Sequence, residues 1–239
     1  MLYQRALAID PDYAAAWSGL ASNYLMQGAW NLRPRDEGYK LAREMVNQAL
    51  ALNPVYAPPH ASLSRIALYH DKDPEAAVRH LEHALALEPA NPEILSAAAN
   101  LVTMLGRLDD AVAIKEYVVN RDPVNPVYHE SLGFSYLWAG RLDEAIASFR
   151  TALTLSPGYR AAHYRIGVAL LLKGESQAAL AEMQQEQKAP KRLEGEAITY
   201  HTLGQAVASN AALAELIDKY EHGSAYNIAY VLAFRGEAD

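Results

Sequence analysis

The sequence predicts an all-α fold, a right-handed α–α superhelix, or solenoid, built from stacked antiparallel helix pairs. Three observations lead there. Pro54, Pro89, Pro123 and Pro157 follow one another at intervals of 35, 34 and 34 residues, each closing a helical segment, and a fixed period near 34 marks a helical repeat. The unit from Pro126 to Pro157 divides at a glycine: Leu132, Gly133 and Tyr136 share a first helix, Gly140 makes the turn, and Ala145, Phe149 and Ala152 share a face of a second helix that Pro157 ends. Each such pair has an apolar face that its own two helices leave uncovered, so it becomes stable only by stacking on its neighbours.

Aligned on the prolines, the units share a register that holds at positions the prolines do not fix. Leu2–Pro11 matches the second half of a repeat without its first half, so residues 1–11 are expected to be the second helix of a truncated repeat. Residues 12–190 hold five repeats. The first carries Trp17, Leu20, Ala21 and Tyr24, then Ala42, Val46, Ala49 and Pro54. Trp17 to Ala42 spans 25 residues where His129 to Ala145 spans 16, so about nine are inserted near 27–36. That insert, Gly28-Ala-Trp-Asn-Leu-Arg-Pro-Arg35, is expected to extend or kink the first helix and then loop.

The second repeat has Leu63 and Ala67, one extra residue near Asp71–Pro74, then Ala77, Leu81, Ala84 and Pro89; Asp73 before Pro74 is placed to cap a helix. In the third and fourth, Gly106-Arg-Leu-Asp-Asp-Ala111 and Gly140-Arg-Leu-Asp-Glu-Ala145 nearly repeat each other, with a glycine ending one helix and an aspartate expected to start the next. The fifth has Ile166, Gly167, Leu170, Gly174, Ala179 and Met183, and is expected to end near Pro190. Residues 191–222 form a divergent helical pair, in which Tyr200, Leu203, Gly204 and Val207 fit a first helix. Residues 223–239 read as the first helix of a repeat that lacks its partner. Neither end carries a polar capping helix, so the chain is expected to be a piece of a longer protein.

The spacing Leu-Gly-x-x-Tyr followed by Ala-x-x-x-Phe-x-x-Ala-x-x-x-x-Pro resembles the tetratricopeptide repeat, well over Leu2–Pro190 and more loosely over Lys191–Asp239. The resemblance implies that the first helices of successive repeats line a concave groove that binds extended peptides or partner helices. The inserted first unit and the closing Ala-Tyr-Asn-Ile-Ala-Tyr-Val-Leu-Ala-Phe-Arg-Gly-Glu stretch also look like the C-terminal repeat arrays of bacterial multidomain signalling proteins, which carry a class III adenylate cyclase or winged-helix domain at the N-terminus. The lysine and asparagine clamp that chaperone-binding members use for a C-terminal carboxylate is not reproduced, because Arg65 and Asn100 are too few.

Composition narrows the function. With 51% hydrophobic and 21% charged residues the chain has the make-up of an ordered protein rather than a linker. A net charge of −7 offers no basic footprint, so nucleic acid is not an expected partner. The absence of cysteine removes disulfides, thiolate metal sites and a cysteine nucleophile. No stretch approaches the roughly 18 apolar residues of a membrane span, so no membrane contact by this segment is expected. The expected compartment is the cytoplasm, with the periplasm an open alternative.

Chemistry-bearing residues mostly have structural readings. His60, His129 and His163 recur at the Trp17 position, where a first helix packs on the preceding repeat. His80 and His83 lie one turn apart, but no third ligand is evident at helical spacing. Paired acids such as Asp109-Asp110 and Asp143-Glu144 sit at helix starts, where the macrodipole favours them. No phosphate loop, zinc motif or nucleophile elbow occurs. Neither an enzyme, a cofactor nor a metal is expected.

The register instead names a groove lining: Ser18, Ser22, Arg65, Tyr69, Ser96, Asn100, Met104, Glu130, Phe134, Trp138, Tyr164, Val168, His201 and Gln205. Met104, Phe134, Trp138 and Tyr164 would form its apolar centre, flanked by Arg65, Asn100, Glu130 and Gln205. The alternative for Phe134 and Trp138 is packing inside the solenoid. The expected function is a non-catalytic module that binds a peptide or helix of a partner protein in its concave groove, as part of a larger signalling or regulatory protein. The alternative is a sensor that binds a small ligand and controls an N-terminal effector domain. The truncated ends could also pair two copies end to end.

Overall fold

The computed structural model describes residues 2–29, 32–159 and 161–237, and among them thirteen α-helices and no strand. Two compact units divide the chain, residues 1–114 and 115–239. The first holds α1 (Leu2–Ile9), α2 (Ala14–Ala29), α3 (Arg35–Leu52), α4 (Ala57–Ile66), α5 (Pro74–Leu87), α6 (Pro92–Met104) and the start of α7 (Leu108–Arg121). The second holds the rest of α7, then α8 (Pro126–Trp138), α9 (Leu142–Leu155), α10 (Ala162–Leu172), α11 (Ser176–Gln185), α12 (Ala189–Thr202) and α13 (Ala206–Arg235).

Helix starts follow the local chemistry closely. Asp73, Asn91 and Asn125 each precede a proline, and their side chains accept the Ala76, Glu93 and Val127 amides at 2.8, 2.9 and 3.1 Å. Gly106 and Gly140 take φ of +76° and +72°, the left-handed turn expected of them. The aspartate expected to start α9 does not cap it. Arg141 holds the cap position without a side-chain cap bond, and Asp143 and Glu144 lie inside the first turn. There they face the helix macrodipole, and Arg141 Nε reaches back to Glu144 at 3.0 Å, as Arg107 Nε does to Asp110 at 2.6 Å.

In the first unit the insert lengthens two packed helices. Trp30 and Asn31, the middle of the expected loop, lie outside the described residues. On either side α2 runs on to Ala29 and α3 starts at Arg35. Two glycines let them cross closely: a Cβ on Gly38 would stand 3.0 Å from Gly28 Cα and 3.0 Å from the Tyr24 carbonyl oxygen. Leu25, Tyr39, Ala42 and Ile66 close the core there, and an alanine-rich cluster around Leu81, Ile94 and Leu101 continues it through α4, α5 and α6. The extra residue of the second repeat is absorbed as a π-helical turn, Ala67–Asp71, which continues α4 and adds one residue per turn.

The second unit is centred on Phe149, Ile166, Met183, Leu216 and Val231, all fully buried. Pro190, expected to close the fifth repeat, sits instead in the first turn of α12, and Val207, expected on the same helix as Tyr200, belongs to α13. The backbone of α13 leaves helical values at Ser224, with φ −133° and ψ 24°. A straight helix would hold Ser209 and Arg235 about 39 Å apart. Arg235 nevertheless hydrogen-bonds Ser209 Oγ at 3.2 Å and also Asn210. The two arms, 206–223 and 225–235, therefore fold back on each other, and Val231 enters the core that Leu213 and Leu216 share.

Candidate functional site

Four helical segments of the second unit each turn a pair of side chains, three or four residues apart, into one cleft. The pairs are Phe134 and Trp138 on α8, Tyr164 and Val168 on α10, Lys191 and Glu194 on α12, and Tyr226 and Tyr230 on the second arm of α13. Leu137 and Arg165 complete a lining of about 340 Å³. α8, α10 and α12 are the first helices of their repeats, the ones from which the register draws its lining.

Behind the rings lies a set of charge sandwiches. The Arg165 guanidinium stands 4.6 Å from the Phe134 ring centre and is paired with Glu130, which also accepts the Tyr159 hydroxyl at 2.7 Å. Lys191 Nζ stands 4.6 Å from the Tyr164 ring and 2.7 Å from Glu194. Glu194 is 1% exposed, a cost met by three donors: Lys191, the Tyr164 hydroxyl and the Asn227 amide. Burial, followed by the negative charge of Glu194, pushes the Tyr164 phenol far above its ordinary range, so it stays protonated and donating. Asn227 thereby ties the second arm of α13 to α12, fixing where Tyr226 and Tyr230 stand.

Trp138 is 67% exposed and Tyr226 77%. Trp138 therefore stands in the cleft rather than inside the solenoid. Phe134 does both: half-buried, it meets Phe149 edge to face at 5.6 Å while its other side lines the cleft.

The remaining register residues are placed as follows. Arg65 and Asn100 meet in the first unit, with Ser62, Glu93 and Ser96, around a smaller polar cleft of about 180 Å³. Tyr69 lies on the π-helical turn, half-buried against the Tyr39 and Ile66 core, and its carbonyl accepts from Arg35 and Lys72 at 3.1 Å each. Met104 ends α6 and is exposed. Glu130 is engaged by Arg165 and Tyr159 rather than offered to a ligand. His201, in edge contact with Phe234, and Gln205, at the start of α13, are exposed and lie outside the aromatic lining.

Leu137, Arg165, Lys191, Glu194, Tyr226 and Tyr230 are cleft residues that the register does not name. For the two tyrosines a signal exists: their spacing of four on a first-helix segment repeats that of Phe134 and Trp138. Among the described residues no group of three or more His, Asp or Glu could hold a metal ion, and no helix is long and apolar enough to cross a membrane.

Fold and clefts together define a helical-repeat protein whose first helices carry its open surfaces. Two family models of the tetratricopeptide repeat match residues 68–132 and 132–192, together just over half of the chain. The chain belongs to the tetratricopeptide repeat family, whose repeats generally mediate protein–protein interaction. No curated protein matches the sequence.

Solved structures match its fold. PilW, a type IV pilus biogenesis factor, is similar with a TM-score of 0.72 at 20% identity, covering 92% of this chain and 98% of that one. PilF of Pseudomonas aeruginosa follows with 0.61 at 17% identity, covering 91% and 98%. A monomeric mutant of IFIT1, solved with m7Gppp-AAAA, gives 0.80 at 15% identity and covers 96% of this chain but 56% of that one. At these identities the likeness is one of fold.

Proposed function

We propose that the protein is a non-catalytic interaction module whose second unit binds a peptide or helix of a partner protein in the aromatic cleft, as part of a larger regulatory assembly. One observation carries this reading: Trp138 and Tyr226, large rings on two rigid helical segments, line one cleft and are more than two-thirds exposed. Exposed rings grouped in this way are the anchors that protein interfaces use, and holding them on preformed helices lowers the ordering cost of binding. The small-ligand alternative fits less well, because such sites bury most of their ligand, whereas these rings stand open. A protein partner also suits the net charge of −7 better than a nucleic acid does.

The test compares the intact chain with Trp138→Ala combined with Tyr226→Ala as bait in native extract, read by mass spectrometry. A partner retained by the intact chain and lost by the variant, with helical circular dichroism unchanged in both, is the expected result. Equal recovery by both baits would move the interaction away from this cleft.

A further inference from the structure

We infer that the segment this cleft receives is basic and amphipathic, and that it stacks an arginine between Trp138 and Tyr226 while its apolar residues rest on Leu137 and Val168. The inference rests on the peptide-binding reading above and adds the chemistry of the partner.

The wall itself supplies the pattern. Phe134 is faced by Arg165, with Glu130 behind it, and Tyr164 is faced by Lys191, with Glu194 behind it. Both rings thus already accept a cation at 4.6 Å, and both cations are neutralised within the wall, so neither leaves a charge to repel an incoming base. Trp138 and Tyr226 line the same cleft and are faced by no cation among the described residues. A guanidinium is flat, more weakly hydrated than an ammonium and stacks best on indole, so it continues the arrangement on Trp138 better than an ammonium does, and a carboxylate does not continue it at all.

The long-range field agrees: a chain of net charge −7 attracts a basic segment and slows the approach of an acidic one. The lining between the rings is apolar, which asks for leucine-like residues beside the arginine rather than an unbroken basic run.

The test uses the full chain and three acetylated, amidated 14-residue peptides that share one set of leucines and carry arginine, glutamine or glutamate at the other positions. Fluorescence anisotropy is recorded in about 0.15 M salt. The arginine peptide is expected to bind at least tenfold more tightly than the glutamine peptide. Trp138→Leu, which keeps apolar area but removes the cation-accepting face, is expected to abolish that preference, so that the arginine and glutamine peptides bind alike.

Glutamine and arginine peptides of equal affinity, both weakened by Trp138→Ala, would overturn the inference and leave the peptide-binding reading standing. An arginine preference that survives Trp138→Leu would mean diffuse electrostatic attraction and would also overturn it. Tighter binding of the glutamate peptide, or of a single-stranded RNA 12-mer, would do the same. Failure of all three peptides to bind would count against both.

Discussion

Three residues at one register position do the same job by different chemistry. Trp17 Nε1 donates to the Pro11 carbonyl at 2.8 Å, His129 Nε2 to Pro123 at 2.8 Å and His60 Nε2 to Pro54 at 3.4 Å, each partner lying six residues back. A carbonyl only accepts, so the proton sits on Nε2 of both histidines. The sequence places these side chains at a packing position, but the bond to the turn that closes the preceding repeat emerges only in three dimensions. His163 departs from the pattern, turning Nδ1 to Glu182 at 2.8 Å. Replacing His129 with Phe is expected to cost about 1 kcal/mol in denaturant unfolding, and replacing it with Trp much less, since indole keeps the donor. Equal losses would refute the positional role.

Lys115 is the residue that sequence reasoning passed over. Val46, Leu81, Phe149 and Met183 each follow the repeat alanine by four and are buried; Lys115 occupies that position after Ala111 and is 3% exposed. The signal was in the register, where one long basic side chain stands in a column of apolar ones. Burial lowers its ammonium to about 8. Between pH 8 and about 10 the unfolded chain, with lysine near its ordinary 10.4, holds the proton that the folded chain has lost, so stability rises with pH by roughly 2–3 kcal/mol. Lys115→Met is expected to remove that alkaline rise, readable by chemical denaturation across pH.

At the scale of elements, repeat boundaries were legible because proline, glycine and the capping residues act locally. Asp73 before Pro74 needed nothing beyond its neighbours. The long insert was legible as an insertion but not as packing, since nothing in one dimension says that Gly28 and Gly38 face each other. Gly38→Ala is expected to push α2 and α3 apart and lower stability by about 1–3 kcal/mol, measured by thermal unfolding. A neutral outcome would mean that the two helices can shift apart without loss.

The α4–α5 contact adds a response to acid. His60 meets His83 edge to face at 4.3 Å, and burial holds His60 and His80 below their ordinary value. Arg79 and Arg43 add positive charge near His80. As pH falls, the unfolded chain takes up these protons first, so stability present above about pH 6.5 is lost as pH falls below it. His60→Trp, which keeps the bond to Pro54 as Trp17 does to Pro11, is expected to flatten that acid limb. An unchanged limb would assign the loss to other groups.

Across the whole molecule, the pattern that names a fold also named part of the aromatic cleft. Phe134, Trp138, Tyr164 and Val168 follow from the register because α8 and α10 belong to regular repeats. Tyr226, Tyr230, Lys191 and Glu194 do not, because the last repeats diverge and the fold-back at Ser224 brings the second arm of α13 against α12 through Asn227 and Glu194. Long-range closure of that kind has no local signature. The polar residues of the first unit line a cleft completed by that unit's helices, and the rings of the second line one completed by its own.

The most direct measurement installs the photo-crosslinking residue p-benzoylphenylalanine at Tyr226, in the cleft, and at Lys219, an exposed position on the first arm of α13, and irradiates both in native extract. The account predicts a discrete protein adduct from position 226 that is absent from position 219 and suppressed by Trp138→Ala. Adducts of equal yield from both positions, or an adduct at 226 indifferent to Trp138, would contradict it.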